Sequence, residues 1–123
     1  MSYRYNWEAD GLYRIFYGQI SGDEILESNF ELHAHPDFKN IKYIINDFRD
    51  VTGHSIQTSH TNAYAVSDDV ISNSKGKLKI ALLVTQEPLM VLANNYRDLM
   101  KGKLFDCEIF SDMDNARLWT SKT

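Results

Sequence analysis

Five apolar residues stand in an unbroken row at Ile80-Ala81-Leu82-Leu83-Val84. The row is far short of the ~20 residues needed to cross a bilayer. Over residues 78–84 it reads as a strand with no polar face, the mark of a central strand buried on both sides. Such a sheet needs apolar cover above and below, so the reading of the segments around this strand decides the fold class.

Those segments alternate. Tyr3, Tyr5 and Trp7 interleave with Arg4, Asn6 and Glu8, the period of a half-buried strand. An Asp10-Gly11 turn signal follows. Residues 12–20 form a second strand, with Leu12, Phe16 and Ile20 on one face and Tyr13, Ile15 and Tyr17 on the other. Ser21 with Glu24 three residues on is a capping box, and Asp23 adds favourable charge at a helix start. That helix runs to about Ala34 on an apolar stripe of Ile25, Leu26, Phe30 and Leu32, and Pro36 ends it. Residues 41–48 form the third strand, and Asp50-Val51-Thr52-Gly53 reads as a turn. Residues 55–72 read as a helix with a stripe of Ile56, His60, Ala63, Tyr64, Ser67, Val70 and Ile71. Pro88 suits the first turn of the next helix, whose stripe is Leu89, Leu92, Ala93, Tyr96, Leu99 and Met100. Residues 105–110 form the last strand, and Asp112 caps a final helix containing Ala116, Leu118 and Trp119.

The order ββαβαβαβα predicts an α/β fold with a mostly parallel five-stranded sheet and four helices, joined by right-handed crossovers. The 123 residues fit one domain, 1–123, large enough to bury a core without a metal or disulfide staple. Cys107 is the one cysteine, so no internal disulfide forms and a reducing cytoplasm is the expected setting. No signal-peptide pattern precedes the first strands. Lys and Arg total 13 against 17 Asp and Glu, a net charge of −4. That balance gives no attraction to nucleic-acid phosphates, so no nucleic-acid partner is expected. The aromatic first strand predicts an exposed sheet edge, which points to a homodimer.

Ligand sites in such sheets lie beyond the carboxyl ends of the strands. Residues 47–55 are therefore the first candidate site: Asp47, Asp50, Thr52, Gly53, His54 and Ser55. Asp47, Asp50 and His54 have the residue types for acid–base chemistry, although turn and capping duty explains them as well. His33 and His35, two apart near a helix end, do not face one another, and no metal site is expected. No nucleophile elbow, Walker A loop or dinucleotide fingerprint is present, so no cofactor is expected and the chain is read as non-catalytic. A second candidate set is polar residues on apolar helix faces: Asn29, His33, His60 and Ser67, with Tyr64. Buried polar groups need partners, and a pocket with a few convergent polar groups would supply them.

The element order, the stretch Gly18-Gln19-Ile20-Ser21-Gly22, a third strand ending in Asp47, the strand of residues 79–84 and the Phe110-Ser111-Asp112 lead into Ala116 and Trp119 carry a resemblance. The chain resembles the SpoIIAA-like family of the STAS superfamily, in particular its STAS/SEC14 domain-containing bacterial members. The resemblance covers almost the whole chain. It implies a module that works by binding: a protein partner, as in anti-sigma-factor antagonists, or a small apolar ligand or lipid, as in the SEC14 type, with membrane association as a variant. The antagonists carry a phosphorylated serine in an Asp-Ser-Ser-Gly-like motif at the start of the second helix. The local match here is Asp50-Val51-Thr52-Gly53, with Val51 at the serine position and Thr52 or Ser55 as the alternatives. Two expectations follow: a non-catalytic interaction module recognised through residues 47–55 and an outward face of Gln57, Thr58, Ser59, Thr61 and Asn62, or an apolar-ligand carrier.

Overall fold

The computed structural model of the chain describes residues 2–122. Its elements are β1 (Tyr3–Trp7), β2 (Gly11–Ile20), α1 (Gly22–Ala34), a 3-10 turn (Pro36–Asn40), β3 (Tyr43–His54), α2 (Thr58–Lys75), β4 (Leu78–Leu83), α3 (Glu87–Leu99), β5 (Phe105–Phe110) and α4 (Met113–Thr120). The five strands make one sheet in the order β1-β2-β3-β4-β5. β1 is antiparallel to β2, and every other neighbour is parallel. The apolar strand β4 lies inside the sheet, between β3 and β5.

The strand order explains where the helices lie. Right-handed crossovers that always step to the next strand in one direction keep returning over the same face. α1, α2 and α3 accordingly share one face with the main core, built on Leu12, Phe16, Ile44, Ile80, Leu82 and Phe105. α4 follows the last strand and needs no crossover. It folds under the opposite face, where Ala116 packs with Ile45, Ala81 and Leu83.

Local signals at the helix starts are met. Glu24 N donates to Ser21 Oγ at 3.1 Å and Ser21 N to Glu24 Oε1 at 3.3 Å. Asp112 accepts from Asn115 N at 2.8 Å. Three readings of the sequence need correction. Asp50-Val51-Thr52-Gly53 is not a turn. β3 continues through it because the ten-residue β2 still offers partners: Tyr17 pairs with Asp50, Gly18 with Val51, Gln19 with Gly53 and Ile20 with His54. The register slips twice on the way, so β3 carries bulges there. A Cβ on Gly53 would lie 2.1 Å from the Gln19 side-chain oxygen, so a larger residue there would have to displace the Gln19 side chain.

The second correction is the rotation of α2. Its buried face is Thr61, Tyr64, Ala65, Asp68 and Ser72, whereas Val70 of the expected stripe is 65% exposed. The helix starts three residues later than expected and ends three later, and Thr61 leaves the predicted outward face for the interior. A hydrophobic stripe misleads here because the buried face is largely polar. The third concerns single positions: Phe30, Leu99 and Leu118 are exposed, with Ser28 and Asn29 taking the inner face of α1. The aromatic face of β1 is also covered rather than open. Tyr3 OH donates to Glu31, Tyr5 OH to the Ser28 carbonyl, and Trp7 stacks on His35.

Candidate functional site: a cavity with a buried arginine

Strand alternation puts Arg14 on the same face of β2 as Leu12 and Phe16, and Asn46 on the same face of β3 as Ile44 and Phe48. The two are directly opposite in the parallel register. Arg14 is buried, and its Nε donates to Asn46 Oδ1 at 2.9 Å. From α1 above, Ser28 Oγ and Asn29 Oδ1 accept from Nη1 at 3.0 and 2.9 Å. Tyr5 steadies Ser28 in turn, its hydroxyl 2.7 Å from the Ser28 carbonyl. The guanidinium carbon lies 5.0 Å from the Phe16 ring centre. Burial holds the Arg14 pKa below its ordinary value, while the charges of Tyr5 and Asp68 act in the opposite direction.

Asp68 enters from α2. His33 Nε2 of α1 lies 3.2 Å from its Oδ1, and Tyr96 of α3 donates to its Oδ2 at 2.5 Å. Burial, with the neighbouring Asp68 charge, pushes the Tyr96 phenol well up. One carboxylate thus ties three helices together under the sheet.

These groups line a cavity of about 80 Å³ between the sheet and α1, α2 and α3. A water needs about 10–15 Å³ by this measure, so the space takes several waters or a small organic molecule. Its polar wall is Arg14, Asn29, His33, Asn46, Thr61 and Asp68. Its apolar wall runs along β4 from Ile80 through Leu82 to Val84, and across to Ile44, Ile56 and Leu89.

The predicted site residues divide. Asn29, His33 and Tyr64 line the cavity; His60 and Ser67 do not. Tyr64 donates to the Gly22 carbonyl at 2.5 Å, and burial, with Asp23 nearby, raises its phenol pKa. His60 sits over Gly22, accepts from Gln57 N at 2.9 Å and approaches Asp23 at 3.5 Å, so it closes the start of α2. Arg14, Asn46 and Asp68 were missed. The signal for Arg14 and Asn46 was the alternation itself, which places a polar residue between two core residues on each strand. Asp68 had none, because the polar inner face of α2 hides its phase.

The residues of the 47–55 segment do not converge. Asp47 is buried on the α4 side of the sheet. Its Oδ1 accepts from Arg49 N and Nε at 3.0 and 2.9 Å, its Oδ2 from Arg49 Nη2 at 2.9 Å and Tyr13 OH at 2.5 Å. Burial pulls this carboxyl upward, but the bonds from Arg49 and Tyr13 outweigh it and hold it below the ordinary range. His54 is spent on a local bond, its Nδ1 accepting from Ile56 N at 3.0 Å. Six strand residues lie between Asp47 and His54, roughly 20 Å of chain, so they form no acid–base pair. Asp50, Thr52 and Ser55 are exposed. Thr52 lies within a strand, five residues before the Gln57 N-cap, so a phosphate there would not meet a helix N-terminus. Among the described residues, no group of three or more His, Cys, Asp or Glu side chains is gathered to hold a metal ion. No helix of these residues is long and apolar enough to cross a membrane.

Sheet order, the antiparallel first strand and the lone helix on the far face are those of the SpoIIAA-like fold. The chain is similar to the anti-sigma factor antagonist SpoIIAA in its unphosphorylated form, with a TM-score of 0.61 at 8% identity over 94% of each chain. It is also similar to an uncharacterised DUF3478-family protein with a SpoIIAA-like fold from Shewanella loihica PV-4. There the TM-score is 0.55 at 14% identity, over 96% of this chain and 91% of the other. No protein-family model and no curated protein matches the sequence.

Proposed function

We propose that the chain is a non-catalytic regulatory module that works by binding a protein partner through the outer face of α2. The observation that carries this is the pair Val66 and Val70, one helical turn apart and each 65% exposed. Their own fold gives them nothing to pack on. Exposed Ser59, Asn62 and Asn73 surround them with polar groups, the composition of a small interface with a polar rim. Exposed Ser55, Gln57 and Thr58 extend the surface to the end of β3. The likeness to an anti-sigma factor antagonist over 94% of both chains supports a binding role for this architecture. The test is cross-linking capture with the wild type and a Val66→Asp/Val70→Asp variant of matched stability. A protein retained by the wild type and lost with the variant supports the proposal. Identical capture by both, or none by the wild type, overturns it.

The cavity favours a second reading, a small-ligand carrier. A domain of this size has no packing reason to keep a lined space beside a buried charge. Ligand-dependent stabilisation of the fold is the measurement that tests it.

A further inference from the structure

We infer that the cavity is a binding site for a short-chain monocarboxylate, its carboxylate held by Arg14, Asn29 and Asn46 and its chain lying against Ile44, Leu82 and Val84. The inference rests on the small-ligand reading and is independent of the protein-partner reading.

The argument is an inventory of donors and acceptors. Arg14 has five N–H groups and no acceptor. Nε and Nη1 use three of them, on Asn46, Ser28 and Asn29. The Tyr5 hydroxyl also bears on the guanidinium, but no described residue accepts from Nη2 within 3.5 Å. Because Arg14 only donates, Asn29 and Asn46 must turn their oxygens to it, and their amide nitrogens are left over. Neither nitrogen has a hydrogen-bond partner among the described residues. Among the described residues, no buried side-chain nitrogen or oxygen is sealed off without a partner. All three residues line the cavity. The unused groups of these three residues are therefore donors, and they face a cavity whose one carboxylate, Asp68, is already engaged by His33 and Tyr96.

Charge points the same way. Arg14 is 3% exposed, yet its three partners are neutral and no carboxylate of the described residues lies within 4 Å of it. Asp68 is engaged by His33 and Tyr96 instead. A buried cation without a contacting anion is costly, and a bound anion removes the deficit. A carboxylate matches the planar guanidinium better than a tetrahedral anion does, and its single charge sits more easily near Asp68. Size sets the rest. An apolar cavity of about 150 Å³ takes benzene, and this one is about 80 Å³, which limits the guest to an acid of two or three carbons.

The test is calorimetric and thermal titration of the protein with sodium acetate and sodium propionate. 1-Propanol, propanamide and inorganic phosphate at matched ionic strength are the controls. Propionate should raise Tm and bind at least tenfold tighter than propanol, and Arg14→Met should abolish that preference. Should Arg14→Met fail to fold, Asn29→Asp carries the test. It places a near-isosteric carboxylate 2.9 Å from Nη1, so it should raise Tm and weaken propionate binding at least tenfold. Propanol binding as tightly as propionate would leave the small-ligand reading standing and overturn this inference. Phosphate giving the same shift as propionate overturns it too. Binding by none of the probes overturns this inference and the small-ligand reading together.

Discussion

Replacing Asp47 by asparagine tests how the fold closes its second face. The carboxylate takes four hydrogen bonds, three from Arg49 and one from Tyr13. Asparagine keeps Oδ1 for Arg49 N and Nε but puts an NH2 where Oδ2 faced two donors. The Tyr13 hydroxyl can turn and accept from that NH2, exchanging a charge-assisted bond of about 1.5–3 kcal/mol for a neutral one of about 1. Arg49 loses its second prong and its counter-charge. Its side chain is 37% exposed, so solvent screening limits that part to about 0.5 kcal/mol. The expected loss at pH 7 is about 1.5 kcal/mol, read from urea denaturation followed by circular dichroism. The sign of the pH dependence follows from the depressed carboxyl. A group whose folded pKa lies below its unfolded value, about 3.9, stabilises above that value and loses the effect as pH falls through the folded pKa. The gap between wild type and Asp47→Asn should therefore be steady from pH 7 to about 5 and close below about 4. A gap under 0.5 kcal/mol at pH 7, or one unchanged at pH 3, would refute the reasoning.

Gly22→Ala would bring a Cβ within 2.2 Å of the His60 ring. It should cost about 1–3 kcal/mol in thermal denaturation, with partial recovery when His60→Ala is added. Arg117 makes a bidentate pair with Glu8, at 2.6 and 2.7 Å, that fastens α4 to the end of β1. Because the Arg117 side chain is 39% exposed, Arg117→Met should cost only about 0.5–1 kcal/mol, and the difference should shrink in 1 M salt. Burial, with Glu108 adjoining, pushes the Cys107 thiol far up. Iodoacetamide should leave it unmodified in the native protein and label it fully in denaturant; rapid native labelling would contradict its burial.

Much of the fold was legible because its signals are local. The Ser21 and Asp112 caps, Pro36 and Pro88 act within one turn of backbone, and each worked as the sequence implied. The apolar run of β4 needed no phase at all, since both faces are buried. Phase-dependent readings fared worse wherever the inner face was polar. Thr61, Asp68 and Ser72 look like solvent residues and are core. The Asp50–Gly53 turn signal was outvoted by strand pairing, a long-range choice made by the length of β2.

The candidate site divides along the same line. Sequence alone determined the class of fold, the order of its elements and the presence of polar residues on inward helix faces. Only tertiary structure decided which of those residues meet. Arg14, Asn29 and Asn46 come from β2, α1 and β3, and parallel register together with the crossover of α1 brings them within hydrogen-bond distance. A buried charge is stable only through partners distant in sequence. Its meaning therefore appears once the sheet is assembled.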